Sequence, residues 1–306
     1  MRISLLVYLS ALSFVSTLSF SCSKYLIVSN QNTQNDAAPP LESHVIYGTD
    51  TRQDYSEIND AKIKALARST VAFIDNEHLV YDQVFDKYYL EKPDFKLGMC
   101  PNEKFTQQPE WAFCTGSLVA PDVVLTAGHC VPDQKACGQF KLAFDYFLEN
   151  PNDGISSLNG KNVFSCKDVI FSTEEKNAAD FALIRLDRAV GERTFLTFSN
   201  EKMTYKDPLL IVGYPMGKPV KFALNGKVRS LLNDHYFVAS LDAFSGNSGS
   251  PVFNQNTLQI VGVLARGESD FERKNSCYVA KVCDEESCRG EDVTRISEIM
   301  KVWNPN

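Results

Sequence analysis

Short apolar runs, rather than long amphipathic stretches, dominate the hydrophobic pattern of this chain. The runs are rich in β-branched and aromatic residues and are bounded by Gly, Pro, Asp or Asn, which is typical of β-strands. The clearest lie at residues 71–74, 116–119, 123–126, 181–184, 209–212, 236–239 and 260–263. Many short strands without long helices between them predict a barrel or a sandwich.

Two segments instead carry apolar residues at helical spacing, 58–68 and 293–303. In the second segment, the residues that share one helical face are Val293, Ile296, Met300 and Trp303. This spacing predicts an α-helix with Asp292 as its cap. Residues 76–110 follow no clear period, and we interpret them as an insertion or a long loop.

The pattern at the amino terminus is typical of an export signal. Met1 and Arg2 give a short basic start, an apolar stretch follows to residue 20, and small residues precede a cleavage point. A membrane-spanning helix is the alternative, but the segment that follows is polar. The sequence therefore predicts a signal peptide over 1–21, a polar tether or propeptide over 22–44, and a globular domain over 45–306.

The charge and the cysteine content limit which partners and which cell compartment suit this protein. A formal net charge of −7 argues against a general nucleic-acid binder, which needs a basic surface. Nine cysteines indicate an oxidising compartment, and setting Cys22 apart leaves eight, which can pair fully. Cys22 lies where the signal ends and resembles the lipidated cysteine of bacterial lipoproteins. Simple cleavage beside Cys22 is the alternative.

The most specific string in the sequence is Gly-Asn-Ser-Gly-Ser-Pro at 246–251. A serine hydroxyl becomes a good nucleophile when a neighbouring base accepts its proton, and the attacked carbonyl needs N–H groups aimed at the developing oxyanion. Ser248 fits the nucleophile. The backbone N–H groups of Gly246 and Ser248 fit the oxyanion donors, since a glycine lets the chain turn there.

Two further strings supply the partners that such a serine needs. His129 ends an apolar run in Thr-Ala-Gly-His-Cys, and an imidazole is suited to taking and returning a proton at neutral pH. Asp180 heads the run Asp-Phe-Ala-Leu-Ile, and a carboxylate there can accept the other imidazole N–H. Read separately, His129 would be structural and Asp180 a loop cap.

Together these strings resemble the trypsin-like serine peptidase family, and their order in the chain, His129, Asp180, Ser248, matches it. The resemblance covers residues 45–306. It implies an all-β fold of two six-stranded antiparallel β-barrels of the trypsin/chymotrypsin type, with a C-terminal α-helix and the catalytic cleft between the barrels. It also implies that His129 is the general base, Asp180 its orienter, Ser248 the nucleophile, and that Cys114 and Cys130 form a disulfide.

Departures from the family pattern concern activation and specificity. Asn247 replaces an aspartate that in trypsin pairs with the new N-terminus after zymogen cleavage. Asn247 and Ser250 instead resemble the V8-like glutamyl endopeptidase branch. Asp242 falls where trypsin carries its pocket-floor aspartate, which implies a preference for Lys or Arg. Ala265, Arg266 and Gly267 fall on the pocket wall, where Arg266 could repel a cationic substrate or neutralise Asp242. The alternative is a structural Asp242 that hydrogen-bonds its own loop.

These observations predict an exported serine endopeptidase that acts on proteins or peptides through an acyl-enzyme. No cofactor, metal ion or nucleic-acid partner is expected, and a membrane contact is expected only through a lipid at Cys22. The protein is predicted to be secreted or held in the cell envelope. The alternative is a catalytically silent homologue that binds a partner. The six cysteines other than Cys22, Cys114 and Cys130 can pair in fifteen ways, among which the sequence does not choose.

Overall fold

Two closed β-barrels carry the strands predicted from the sequence. The structure is a computed structural model that describes residues 45–91, 98–150 and 152–303. In chain order, its strands are β1 (Ile46–Tyr47), β2 (Gln53–Asp54), β3 (Thr70–Asp75), β4 (Leu79–Asp82), β5 (Lys87–Leu90), β6 (Ala112–Ala120), β7 (Val123–Thr126), β8 (Phe140–Ala143), β9 (Ser157–Asn159), β10 (Val163–Glu174), β11 (Asp180–Leu186), β12 (Pro208–Gly213), β13 (Lys221–Ser230), β14 (Tyr236–Ser240), β15 (Pro251–Asn254), β16 (Ile260–Arg266), β17 (Phe271–Lys274), β18 (Cys277–Ala280), β19 (Val282–Cys283) and β20 (Glu291–Arg295).

The first barrel is a closed ring of six antiparallel strands in the order β10-β11-β7-β6-β3-β8. Alternate residues of each strand point to its interior, since successive side chains of a strand face opposite sides. Fully buried interior side chains include Val71, Phe73, Leu118, Val124 and Ile184. This barrel holds His129 just after β7 and Asp180 at the start of β11.

The second barrel closes in the order β12-β15-β16-β20-β14-β13, because β13 also pairs with β12. All six pairings are antiparallel, and β2 adds to the outer edge of β13. Its interior is filled by buried apolar residues, among them Leu209, Ile211, Phe237 and Val293. The predicted fold of two six-stranded antiparallel barrels is therefore confirmed.

A third apolar cluster joins the barrels and explains the continuous apolar runs in the sequence. It combines first-barrel residues such as Ile74 and Leu125 with second-barrel residues such as Leu210, Val212 and Val263. Strands β3, β7 and β12 are consequently buried on both faces, one toward a barrel interior and one toward the other barrel. Such strands read as unbroken hydrophobic runs rather than as alternating patterns.

Smaller sheets lie outside the barrels. Strands β4, β5 and β9 form a three-stranded sheet, β17 and β18 form a hairpin, and β1 pairs in parallel with β19. The interpretation of residues 76–110 as an insertion or long loop was therefore incomplete. Within the described part of that stretch, Leu79 and Tyr88 turn toward the joint core and anchor the β4–β5 hairpin.

The helices are shorter than the sequence predicts. The α-helices are α1 (Ala61–Leu66), α2 (Gln134–Cys137) and α3 (Ile296–Met300), and the 3₁₀ turns are Tyr55–Glu57, Ala67–Ser69, Asn76–His78, Gly160–Asn162 and Pro215–Gly217. The predicted start of the last helix at Val293, with Asp292 as its cap, was wrong. Val293 belongs to β20, which pairs with β14 and β16 to close the second barrel. The C-terminal helix itself is confirmed.

Four disulfides join the eight cysteines that lie in the described residues. The pairs are Cys100–Cys277, Cys114–Cys130, Cys137–Cys166 and Cys283–Cys288. The bond between Cys114 and Cys130 is the pair that the family resemblance implies. Four bonds of this kind indicate folding in an oxidising, extracytoplasmic compartment. None of the helices in the described part of the chain has the length and apolar character needed to cross a membrane.

Candidate active site

His129 lies on a tight turn that follows β7. The disulfide between Cys130 and Cys114 ties this turn back to β6. A Cβ atom at Gly128 would lie 2.0 Å from the carbonyl oxygen of Thr173, so the turn packs against β10 too closely for any side chain there. The sequence Ala-Gly-His-Cys thus positions the imidazole by backbone packing on one side and a covalent link on the other.

Asp180 is hydrogen-bonded to His129. The Nδ1 atom of His129 lies 2.8 Å from Oδ2 of Asp180, whose residue is 2% exposed. The other oxygen, Oδ1, accepts the backbone N–H groups of Gly128 at 2.6 Å and His129 at 3.2 Å. Because an ionised carboxylate can only accept, Nδ1 carries the proton, and Nε2 is the imidazole nitrogen with a lone pair.

The backbone of Asp180 is fixed from the second barrel. The hydroxyl of Thr294 on β20 accepts the N–H of Asp180 at 3.1 Å and donates to its carbonyl oxygen at 2.9 Å. This paired contact holds the first residue of β11 where its carboxylate meets the His129 turn. Thr294 gave no signal in the sequence, since a lone threonine in a strand is unremarkable.

Ser248 lies on a loop of the second barrel that a first-barrel residue holds in place. The N–H of Thr115 on β6 donates to the carbonyl oxygen of Ser248 at 2.8 Å, and its hydroxyl donates to that of Gly246 at 2.7 Å. The Ser248 carbonyl oxygen also lies 3.7 Å from Sγ of Cys130, the neighbour of His129. The serine loop and the histidine turn therefore meet at the junction of the two barrels.

Gly246 adopts a backbone conformation that favours glycine. Its φ is +93°, and a Cβ there would lie 2.4 Å from the carbonyl oxygen of Tyr214. The carbonyl of Ser245 accepts the N–H of Met216 at 2.5 Å. In a planar trans peptide group the C=O and N–H point in opposite directions. The Gly246 N–H therefore points away from Met216.

Asp242, the predicted floor of the substrate pocket, is hydrogen-bonded to residues near the start of the domain. Its Oδ1 accepts the N–H of Tyr47 at 2.8 Å, and its Oδ2 accepts the N–H and hydroxyl of Thr51 at 3.0 and 2.9 Å. Burial raises the pKa of Asp242, and the donors from Thr51 and Tyr47 oppose that rise. These partners lie 195 and 191 residues away along the chain, not in the loop of Asp242 itself.

The other predicted pocket residues lie on and just beyond β16. Ala265 is buried, and Gly267 is half-buried. Arg266 binds other partners: its Nε lies 3.3 Å from Oδ2 of Asp292, and its Nη2 donates to the carbonyl of Ala178 at 2.8 Å. The idea that Arg266 neutralises Asp242 was wrong, because Asp292 is the carboxylate that Arg266 binds.

Asn247 is buried within the serine loop, directly before Ser248. Its N–H donates to the carbonyl of Phe244 at 2.9 Å, and its Oδ1 lies 3.4 Å from the hydroxyl of Ser250. A Cβ at Gly213 would lie 2.4 Å from that same Oδ1. The Asn247 side chain thus packs against β12 inside the second barrel.

Among the described residues, two groups bring possible metal ligands together. One contains Cys114, His129 and Cys130, whose cysteines are bonded to each other. The other is the surface group Asp75, Glu77 and His78.

A separate cavity of about 810 Å³ lies on the first barrel beside α1 and the loop 188–194, away from the histidine and serine loops.

Comparison with known proteins agrees with the observed fold. Residues 114–263, which include His129, Asp180 and Ser248, match a family model described as "Trypsin-like peptidase domain". No curated protein matches the sequence significantly. A solved Glu endopeptidase is similar in fold, with 19% identity and a TM-score of 0.50, over 84% of this chain and 97% of its own.

Two further solved structures give lower scores. The VesB protease of Vibrio cholerae is 14% identical with a TM-score of 0.48, covering 84% of this chain, which spans 66% of VesB. The active form of the Rv3671c protease from M. tuberculosis is 16% identical with a TM-score of 0.46, over 86% of this chain and 88% of its own. From the family match and the paired barrels it follows that this chain carries a trypsin-like peptidase domain, and its predicted place in the trypsin-like serine peptidase family is confirmed.

Proposed function

We propose that this chain is an exported serine endopeptidase that hydrolyses peptide bonds through an acyl-enzyme. Ser248 is the nucleophile, His129 the general base and Asp180 the residue that orients the imidazole. The observation that carries the proposal is the 2.8 Å bond between His129 Nδ1 and Asp180, on a turn that touches the Ser248 loop. Family membership alone supports a serine peptidase acting on proteins or peptides, and this arrangement supports the chemistry.

The first half of the reaction transfers the acyl group to the enzyme. The Ser248 oxygen attacks the carbonyl carbon of the scissile bond, and its proton passes to Nε2 of His129. Asp180 stabilises the resulting imidazolium through its bond to Nδ1–H. The carbonyl oxygen becomes an oxyanion that accepts the N–H groups of Gly246 and Ser248. When the intermediate collapses, the C–N bond breaks and Nε2 returns the proton to the leaving amine.

The second half releases the acid product. A water molecule attacks the ester carbon while His129 accepts its proton, and the same two N–H groups bind the second oxyanion. The C–O bond to Ser248 then breaks, and the serine oxygen regains the proton from Nε2. In both halves His129 first accepts a proton at Nε2 and then donates it, so one imidazole tautomer serves both. Ser248 changes from nucleophile in the first half to leaving group in the second.

A fluorophosphonate probe tests the nucleophile directly. The wild-type chain is expected to form a covalent adduct that peptide mass spectrometry assigns to Ser248, because the probe reacts with serines that a neighbouring base activates. Ser248→Ala is expected to take no label. Ser276→Ala, at an exposed serine on the turn between β17 and β18, is the matched control and is expected to label as wild type does.

The same experiment separates the proposal from its alternative. A folded wild-type chain that takes no label, and cleaves no member of a peptide library, would favour the catalytically silent binding homologue. Labelling at a serine other than Ser248 would also contradict the assignment.

The preference for Lys or Arg stays a prediction, and the contacts of Asp242 weigh against it. We expect Asp242→Ser to leave the cleavage profile of a peptide library unchanged, because this carboxylate faces Tyr47 and Thr51. The free energy of unfolding is expected to fall by about 1–3 kcal/mol for a buried N–H left without its acceptor. If cleavage after Lys and Arg disappears instead, Asp242 recognises the substrate. Chemical denaturation and library profiling measure the two effects.

Export and lipidation belong to the same proposal. The signal peptide over 1–21, the tether over 22–44 and Cys22 lie outside the described residues. The four disulfides leave Cys22 as the ninth cysteine, which supports a separate fate for it. Mass spectrometry of the mature N-terminus distinguishes an acylated Cys22 from a chain that begins near Val45.

A further inference from the structure

Asp270 is a buried carboxylate beside the nucleophile loop. It lies between the end of β16 and the start of β17, and its residue is 4% exposed. Its Oδ2 accepts the backbone N–H of Ser245 at 3.0 Å. Burying a carboxylate is costly unless donors compensate for the lost water, so a position with this contact requires a structural or functional reason.

The bond from Asp270 acts on the residue that precedes Gly246. Ser245 is held at both of its backbone polar groups: its N–H donates to Asp270, and its carbonyl accepts the N–H of Met216 at 2.5 Å. The backbone of a residue has two free dihedral angles, and fixing the groups on both sides of its Cα restricts both. The direction of the next N–H, that of Gly246, is therefore set by these two bonds.

Aromatic packing also stabilises the segment that contains Phe244 and Ser245. The ring of Phe244 stacks on that of Phe271, with centroids 5.5 Å apart and planes 27° apart. The guanidinium of Arg52 also lies over the ring of Phe244, 4.2 Å from its centroid. Phe271 follows Asp270 directly, so one short segment provides both the carboxylate for Ser245 and the ring for Phe244.

We propose that Asp270 is a positioning residue for catalysis: through Ser245 it orients the Gly246 N–H toward the oxygen that becomes negative in the transition state. The inference rests on the proposed peptidase function and assigns to Asp270 a role at that same site. Asp270 acts through the backbone of Ser245, and removing its carboxylate lets the peptide group between Ser245 and Gly246 rotate. A donor displaced in this way stabilises the oxyanion less, which lowers kcat more than it raises KM.

Steady-state kinetics with a peptide substrate test this role in three variants. Asp270→Ala is expected to lower kcat by about 10- to 100-fold, short of the loss of a whole oxyanion donor, with KM within about threefold. Asp270→Asn keeps an oxygen that can accept the Ser245 N–H, and is expected to stay within about threefold of wild type in kcat. Glu272→Gln, at an exposed acid two residues further on, is the matched control and should equal wild type.

A transition-state analogue distinguishes positioning from general weakening. The affinity of a peptidyl aldehyde, whose adduct places an oxyanion at the same donors, should fall by the same factor as kcat/KM across the three variants. An unchanged kcat in folded Asp270→Ala would overturn the inference, whether or not its unfolding temperature falls. A loss of kcat in Asp270→Asn as large as in Asp270→Ala would also overturn it, because charge rather than the acceptor would then matter.

Hydrogen exchange supplies a readout that does not need activity. Exchange at the Ser245 amide, followed by mass spectrometry of peptides covering 242–248, should rise at least about tenfold in Asp270→Ala and stay unchanged in Glu272→Gln. If the wild-type chain neither hydrolyses peptides nor takes the fluorophosphonate, the proposed function fails, and this exchange result still decides whether Asp270 holds the loop. If Asp270→Ala does not fold, Asp270→Ser, whose hydroxyl is too short to reach Ser245, replaces it in both measurements.

Discussion

Replacing Asp180 by Asn is expected to lower kcat by about 10⁴-fold while the chain remains folded. In the wild-type structure Oδ1 of Asp180 accepts two backbone N–H groups, from Gly128 and His129. An Asn side chain would keep its oxygen there and turn its NH₂ group toward Nδ1 of His129. Nδ1 would then have to accept, the ring proton would move to Nε2, and Nε2 would be unable to take the proton of Ser248.

Stopped assays with a chromogenic peptide measure this effect, and circular dichroism checks the fold. Asp168→Asn, at an exposed acid on β10, is the control for removing one negative charge and should keep the wild-type kcat. An Asp180→Asn enzyme within tenfold of wild type would show that the imidazole is oriented by something other than this carboxylate.

Gly246→Ala is expected to lower kcat by about 10²- to 10³-fold, the loss typical of removing one oxyanion donor. The residue has a φ of +93°, and a methyl group there would lie 2.4 Å from the carbonyl oxygen of Tyr214. The loop must rotate to relieve that contact, which breaks the bond between the Ser245 carbonyl and Met216 and turns the Gly246 N–H away. The binding of a peptidyl aldehyde should weaken in proportion.

Gly191→Ala is a matched control for this substitution. Gly191 also has a positive φ, +50°, but a Cβ there meets nothing within 4 Å among the described residues. It therefore carries the backbone cost of alanine in the left-handed region without a collision. Equal losses of kcat in the two variants would mean that backbone strain alone, rather than the position of the Gly246 donor, explains the effect.

The three chemical strings were readable because each combines a residue type with a local structure. His129, Asp180 and Ser248 stand at the ends of buried runs, and such runs are strong strand signals in any fold. Their convergence at one junction follows from the family resemblance, because spacings of more than fifty residues along a chain say nothing about distance in space. The seven predicted strand runs lie in barrel strands for the same local reason.

The sequence predictions that were wrong for β20, Asp242 and Arg266 involve residues whose partners lie far away along the chain. Val293 and Ile296 are three apart, which suits a helix face, but pairing of β20 with β14 and β16 overrides that local pattern. The partners of Asp242 lie on a segment near Val45, and those of Arg266 lie on β20 and on the loop before β11. The closed barrels decide which side chains meet across such separations. The sequence near each residue contains no signal for a partner that lies so far along the chain.

Thr115 connects a strand of one barrel to the reactive loop of the other through two hydrogen bonds, and its own carbonyl accepts the hydroxyl of Thr126, at the end of β7. The loop that carries the proposed nucleophile is thus hydrogen-bonded to a β-sheet to which it does not belong. A substitution that opens a cavity in the first barrel, several residues from any reacting atom, can therefore lower activity by letting Thr115 and its hydrogen bonds to the loop shift.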